Sequence, residues 1–244
     1  MSALHAAPPR ARPGRIRALL ALDGPVAMTS LAVFQYFVLS VSFLAAAALP
    51  AVAFQLLIGW QGTHLALWLG AVSTLPVAPA TYALLRGARS TLTHKAEAHA
   101  VRTFWRAFAD GCRTLWWAAL AAAGIVLTLG YDIALYDASG AVLLFAAAAA
   151  AVAAVLLVAV SLVAASAPQA RATAMVIVAA RRICRRPHVA LAWLLLIGLG
   201  VAATALPLVG PAVALFLPAL VGVGIHICND ALRFHPHDES SQTP

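Results

Sequence analysis

The sequence predicts an all-α fold: a polytopic transmembrane bundle of six spans joined by two cytoplasmic amphipathic basic elbows. Three observations predict it. First, 63% of the 244 residues are hydrophobic and only 10% are charged, against about 25% charged in an ordinary soluble domain. Second, the apolar residues fall into six runs, and a bilayer core needs about 20 per helix. Third, with six spans all sixteen Lys and Arg residues fall on one side. The mean hydropathy of +0.92 also excludes a disordered chain.

The runs cover roughly 29–58, 64–85, 114–135, 139–166, 188–207 and 209–227. The first is long enough to span with tilt, and Pro50 is its expected kink. Ala51-Val52-Ala53 has the small-residue pattern of a signal-peptide cleavage site. The apolar stretch before it exceeds the usual 7–15 residues, so the run is expected to stay as a span. Gly59 to Thr63 force a tight hairpin into the second run. Pro207, Gly210 and Pro211 mark the turn between the last two. The expected organisation is a basic N-terminal segment over 1–28, a six-span membrane domain over 29–228 and a polar tail over 229–244.

Orientation follows from the basic residues. Arg10, Arg12, Arg15 and Arg17 precede the first span. Arg86, Arg89, Lys95, Arg102, Arg106 and Arg113 separate the second from the third. Arg171, Arg181, Arg182, Arg185 and Arg186 separate the fourth from the fifth, and Arg233 follows the sixth. The opposite loops carry no Lys or Arg, and Asp132 and Asp137 lie around one of them. The positive-inside rule then puts both termini in the cytoplasm of a multi-pass plasma-membrane protein. The same rule accounts for the net charge of +8 without nucleic acid as a partner.

The first elbow, 95–113, carries a helical stripe of Val101, Phe104, Trp105 and Phe108. Arg102, Arg106, Asp110 and Arg113 mark another face, with Arg106 and Asp110 four apart. An amphipathic helix on the inner membrane surface is expected, its arginines at lipid phosphate and its aromatics in the acyl boundary. Trp116 and Trp117 then open the third span at interfacial depth. The second elbow, 170–186, ends in Arg181, Arg182, Arg185 and Arg186. Two roles fit these elbows: topology anchors, or contacts to a cytoplasmic partner or acidic headgroups.

Inside the spans the sequence offers little chemistry. No Asp, Glu, Lys or Arg lies deep within a run, which argues against a proton-coupled pump. Gln35 and Gln55 are the most polar intramembrane groups. With Ser73, Thr74, Ser161 and Thr204 they are expected to bond across helices. Gly198 to Ala203 spells G-x-G-x-x-A, but in mid-span, where it reads as small residues for close helix contact. Cys112, Cys184 and Cys228 are too far apart for a Cys-x-x-Cys site. His226, Cys228, Asn229 and Asp230 match no known ligand spacing, so neither metal nor cofactor is expected. No Ser/His/Asp, HExxH, Walker or kinase signature stands in a plausible context, and no enzymatic activity is expected.

Leu75-Pro76-Val77-Ala78-Pro79-Ala80-Thr81, running on to Arg86, resembles the Leu-Pro…Pro-Ala-Thr motif of the YesL-like family of bacterial membrane proteins. Val101-Arg102-Thr103-Phe104-Trp105-Arg106-Ala107-Phe108 resembles that family's Arg-x-Phe-Trp-Arg-Ala-Phe elbow. The order of elements is similar over about residues 28–230, while the specific motifs occupy 75–108. Two features depart from many members: a long hairpin before the Leu-Pro motif, and no Gly-Glu-Glu-like turn between Ser90 and Glu97. The family is a domain of unknown function whose genes often lie beside sugar-uptake ABC transporter components. The resemblance thus implies a non-enzymatic accessory or regulatory role, with transporter subunits as partners. The alternative from the residues is a small-solute permease or channel, its path lined by Gln35, Gln55, Ser73 and Thr74 between helices broken at Pro50, Pro76 and Pro79.

Overall fold

A computed structural model describes residues 25–57, 64–93, 100–136, 140–207 and 209–232. Among them every regular element is helical. Six segments are long and apolar enough to cross a membrane: Thr29–Leu56, His64–Thr93, Trp116–Tyr136, Gly140–Ser166, Pro187–Thr204 and Gly210–Ala231. The chain is a multi-pass membrane protein with an all-α bundle. The segments 1–24 and 233–244, with Lys95, Glu97 and Asp137, lie outside the described residues.

The first span is one rod of three parts: α1 (Pro25–Phe43), a π-helical turn (Leu44–Ala48) and α2 (Leu49–Leu57). Pro50 causes it. Proline has no N–H and its ring crowds the carbonyl four residues back. The chain widens just before it, and the Leu49 N–H bonds to Leu44 O, five residues back. The expected kink is therefore a π-turn.

The second span is broken into α3 (His64–Ser73) and α4 (Val77–Thr93). Thr74 to Pro76 form the turn between them, and neither Pro76 nor Pro79 can donate a backbone bond there. Ser73 and Thr74 close the end of α3 by donating to Gly70 O and Ala71 O, each at 2.7 Å. α4 runs eight residues past the expected boundary at Leu85 and so holds Arg86 and Arg89 on a helix. It is the hub of the bundle, packed against α1 and against the helices over Ala100–Thr114, Trp116–Tyr136, Gly140–Ser166 and Gly210–Ala231.

α5 (Ala100–Thr114) folds back antiparallel along α4, with Gly111 against Pro79 and Asp110 against Arg86. Its buried stripe is Ala100, Phe104, Ala107 and Gly111. This corrects the expectation for Phe104, which is 0% exposed and sits in the protein core instead of the acyl boundary; Val101 is 50% and Trp105 44% exposed. Size explains the rotation. A Cβ on Gly111 would lie 3.1 Å from Pro79 Cα, so the two backbones meet over small residues. In a bilayer, lipid is as apolar as leucine, so small residues take the interface and large ones can face outward.

After a bend at Leu115, α6 (Trp116–Tyr136) rises about 31 Å at 1.5 Å per residue, matching the bilayer core. The His64 and Tyr131 rings lie 5.7 Å apart and tie α3 to α6 at the far end. α7 (Gly140–Ser166) is buried only from Val155 onward, where α4 and α8 (Ala172–Arg185) meet it. α8 is the second elbow, and Arg182 and Arg185 in its last turn complement the helix dipole. α9 (Pro187–Thr204) and α10 (Gly210–Ala231) form the final hairpin, each with proline in its first turn. The small residues used there are Gly200 against Leu217 and Gly224 against Leu196; a Cβ added to Gly198 would meet nothing within 4 Å.

Candidate functional site: a basic cleft between helices

α10 contains Pro218, which breaks its hydrogen-bond ladder in mid-span. Ser40 on α1 bonds the backbone on either side of the proline. Its Oγ accepts from the Ala219 N–H at 3.0 Å and donates to Phe216 O at 3.2 Å. In lipid no water could satisfy those groups, so a neighbouring helix must. This bond fixes α10 against α1. Below it, Gly222 lets α10 approach α4, where an added Cβ would meet Ala88 Cβ at 3.3 Å.

That close approach places the ends of α4 and α10 side by side. His226 Nε2 lies 2.8 Å from Leu85 O. A carbonyl only accepts, so Nε2 carries the proton. On the next turn Asn229 Oδ1 accepts from the fully buried Trp193 indole N–H at 3.2 Å, joining α10 to α9. The corner between α8 and α9 is tied to the end of α10 by Arg186 Nη1 donating to Leu232 O at 3.1 Å.

Between α4, α7, α8 and α10 these ties leave a cleft of about 390 Å³. Arg86, Arg89, Arg182, His226, Asn229 and Asp230, with the hydroxyls of Thr93 and Ser166, supply its polar lining, and Leu85, Leu92 and Leu162 are its main apolar walls. Arg86 also pairs with Asp110 at 3.3 Å across the α4–α5 seam and donates to the Tyr82 hydroxyl at 3.1 Å. Asp110 thus takes its partner from α4, not from Arg106 one turn back.

The residues singled out in the sequence are dispersed. Arg102, Trp105 and Arg106 lie exposed on α5, and Phe108 is half-buried, with its ring 6.3 Å from that of Phe104. Arg181, Arg185 and Arg186 are exposed on or just beyond α8, whereas Arg182 enters the cleft. Gln35 is 5% exposed and lines a groove with Ala100 and Arg102. Gln55 is exposed on α2, twenty residues along the same rod, which is about 30 Å at helical rise. The two amides therefore sit in different surroundings, one buried and one exposed. Ser73, Thr74 and Thr204 bond within their own helices. Ser161 Oγ is buried with no hydrogen-bond partner.

Bonds that do cross between helices include those of Ser40, His226 and the Asn229–Trp193 pair, for which the sequence suggested no such role. Pro218 was the available signal for Ser40, because a proline in an apolar span demands an outside partner. Among the described residues no three of His, Cys, Asp and Glu gather as metal ligands. Cys112, on α5 outside the spans, is a free thiol whose pKa partial burial pushes up. Compared with family models, curated proteins and solved structures, the chain matches none.

Proposed function

We propose that this protein is a non-enzymatic accessory or regulatory component of a membrane transport system. Its arginine-bearing side faces the cytoplasm of the plasma membrane, with both termini there, and presents a docking surface to a transporter subunit. The observation that carries this reading is the two-sided α5. One stripe locks onto α4 through Phe104, Ala107 and Gly111. The other leaves Val101, Arg102, Trp105 and Arg106 outward on a rigid support. Trp and Arg are the residue types that dominate binding energy at protein interfaces. The resemblance of residues 75–108 to the YesL-like family points to a carbohydrate ABC-type transporter as the system served.

The test is tagged purification from native membranes in mild detergent, followed by mass spectrometry. Transporter subunits should co-purify in stoichiometric amounts. R102Q/R106Q and R181Q should lower their recovery at least tenfold while insertion is unchanged. Recovery of the chain alone, or unchanged recovery with the variants, refutes the docking role. The permease alternative is read in the same preparation by solute flux into liposomes, with Gln55→Leu as the blocking variant.

A further inference from the structure

We propose that the cleft between α4, α7, α8 and α10 is a binding site for a phosphate-bearing anion, and that its source is the headgroup of an acidic phospholipid. This is independent of the docking surface, because Arg89 and the cleft take no part in the outward face of α5.

Charge and shape carry the argument. Of the three arginines that line the cleft, Arg86 is held by Asp110 across the α4–α5 seam, and Arg89 and Arg182 stand with a single carboxylate, Asp230. Guanidinium forks match the oxygens of a phosphate and form charge-assisted bonds to it. The neighbouring polar groups are already oriented. His226 is held by Leu85 O, and Trp193 takes Asn229 Oδ1, which leaves the Nδ2 hydrogens on the other arm of the amide. The hydroxyls at the rim are acceptors only, because Thr93 and Ser166 donate to their own helices. The arginines and the Asn229 amide are therefore the cleft's donors toward an anion.

The walls indicate the carrier. Leu85 and Leu162 line the same space as the arginines. The cleft opens at the ends of three spanning segments, those of α4, α7 and α10, which is headgroup depth for helices of this length. Basic pockets between spans on the cytoplasmic side are where anionic headgroups bind. A soluble phosphate would use the arginines but gain nothing from the leucines.

Native mass spectrometry of the full chain in mild detergent tests this, with phosphatidylglycerol, phosphatidylcholine and soluble glycerol phosphate as probes. One phosphatidylglycerol per chain should survive collision energies that strip phosphatidylcholine. R89Q should weaken retention about fivefold and R89Q/R182Q about thirtyfold, at roughly 1 kcal/mol per basic residue near anionic lipid. Asp230→Asn should strengthen it, and R89K should retain most of it. Displacement of the lipid by glycerol phosphate at equal concentration overturns the lipid source and leaves a soluble phosphate. Equal retention of the two lipids, or of phosphatidylglycerol by wild type and R89Q/R182Q, overturns the site. If R89Q/R182Q is not monodisperse, unchanged retention by Asp230→Asn overturns it instead.

Discussion

Replacing Ser40 by alanine should destabilise the bundle through a helix it does not belong to. The Ser40 hydroxyl is fully buried and makes two bonds into the α10 backbone, to Ala219 N–H at 3.0 Å and Phe216 O at 3.2 Å. Pro218 prevents α10 from running a regular ladder there. Alanine removes both bonds from an apolar interior. A neutral hydrogen bond contributes about 1 kcal/mol net, and a stranded buried group costs about 1–3 kcal/mol. Cross-helix bonds measured in membranes average nearer 0.6 kcal/mol, because the unfolded chain in a micelle also finds partners. Together these give an expected loss of about 1–3 kcal/mol.

The assay is reversible unfolding by sodium dodecyl sulfate in mixed micelles, followed by tryptophan fluorescence. The decisive comparison is a double-mutant cycle with Pro218→Ala, which restores an N–H at residue 218 and permits a regular ladder. In that background Ser40→Ala should cost at least about 0.5 kcal/mol less than in the wild type, the lower end of coupling for contacting residues. Equal costs in both backgrounds would refute the reasoning, because Ser40 would then be acting by packing alone.

Gly111→Val should open the α4–α5 seam, since even a Cβ there lies 3.1 Å from the Pro79 backbone. A thermal-shift or detergent titration should record a loss of about 1–3 kcal/mol, typical of overpacking, and an unchanged midpoint would mean α5 is not closely packed. Asn229→Leu removes the acceptor of the buried Trp193 N–H and should cost about 1–3 kcal/mol. Adding Trp193→Phe should make the pair cost less than the two single losses combined, and strict additivity would argue against the bond. Burial pushes the Cys112 thiol pKa up, so its reactive thiolate is scarce at neutral pH. Maleimide labelling in a variant lacking Cys184 and Cys228 should be slow at pH 7 and rise about tenfold per pH unit up to that pKa. Half-maximal reactivity below pH 8 would contradict it.

The sequence by itself determined the membrane class, the six spans and the helical elbows. The bilayer reads the chain one residue at a time, by length and polarity, and that code is linear. The number and order of spans, the break at Pro76 and the grouping of arginines between spans two and three and between four and five were therefore legible, while the end of the second span was not. Only the tertiary structure decided which face of each helix meets another helix. Periodicity puts Phe104 on one stripe with Val101 and Trp105, yet Phe104 is buried in the protein with Ala107 and Gly111 while the other two are exposed. Helix–helix contact in lipid gains little from apolarity, because lipid offers the same apolarity; it gains from close backbone approach and from satisfied polar groups. Neither is written locally. Pro218 announces an unsatisfied turn, but the partner 178 residues away is chosen by how α1 crosses α10. The cleft has the same origin, since Arg89, Arg182 and Asp230 come from three separate helices. They become one site because Gly222 lets α10 lie close against α4, a distance set by packing and invisible to hydropathy.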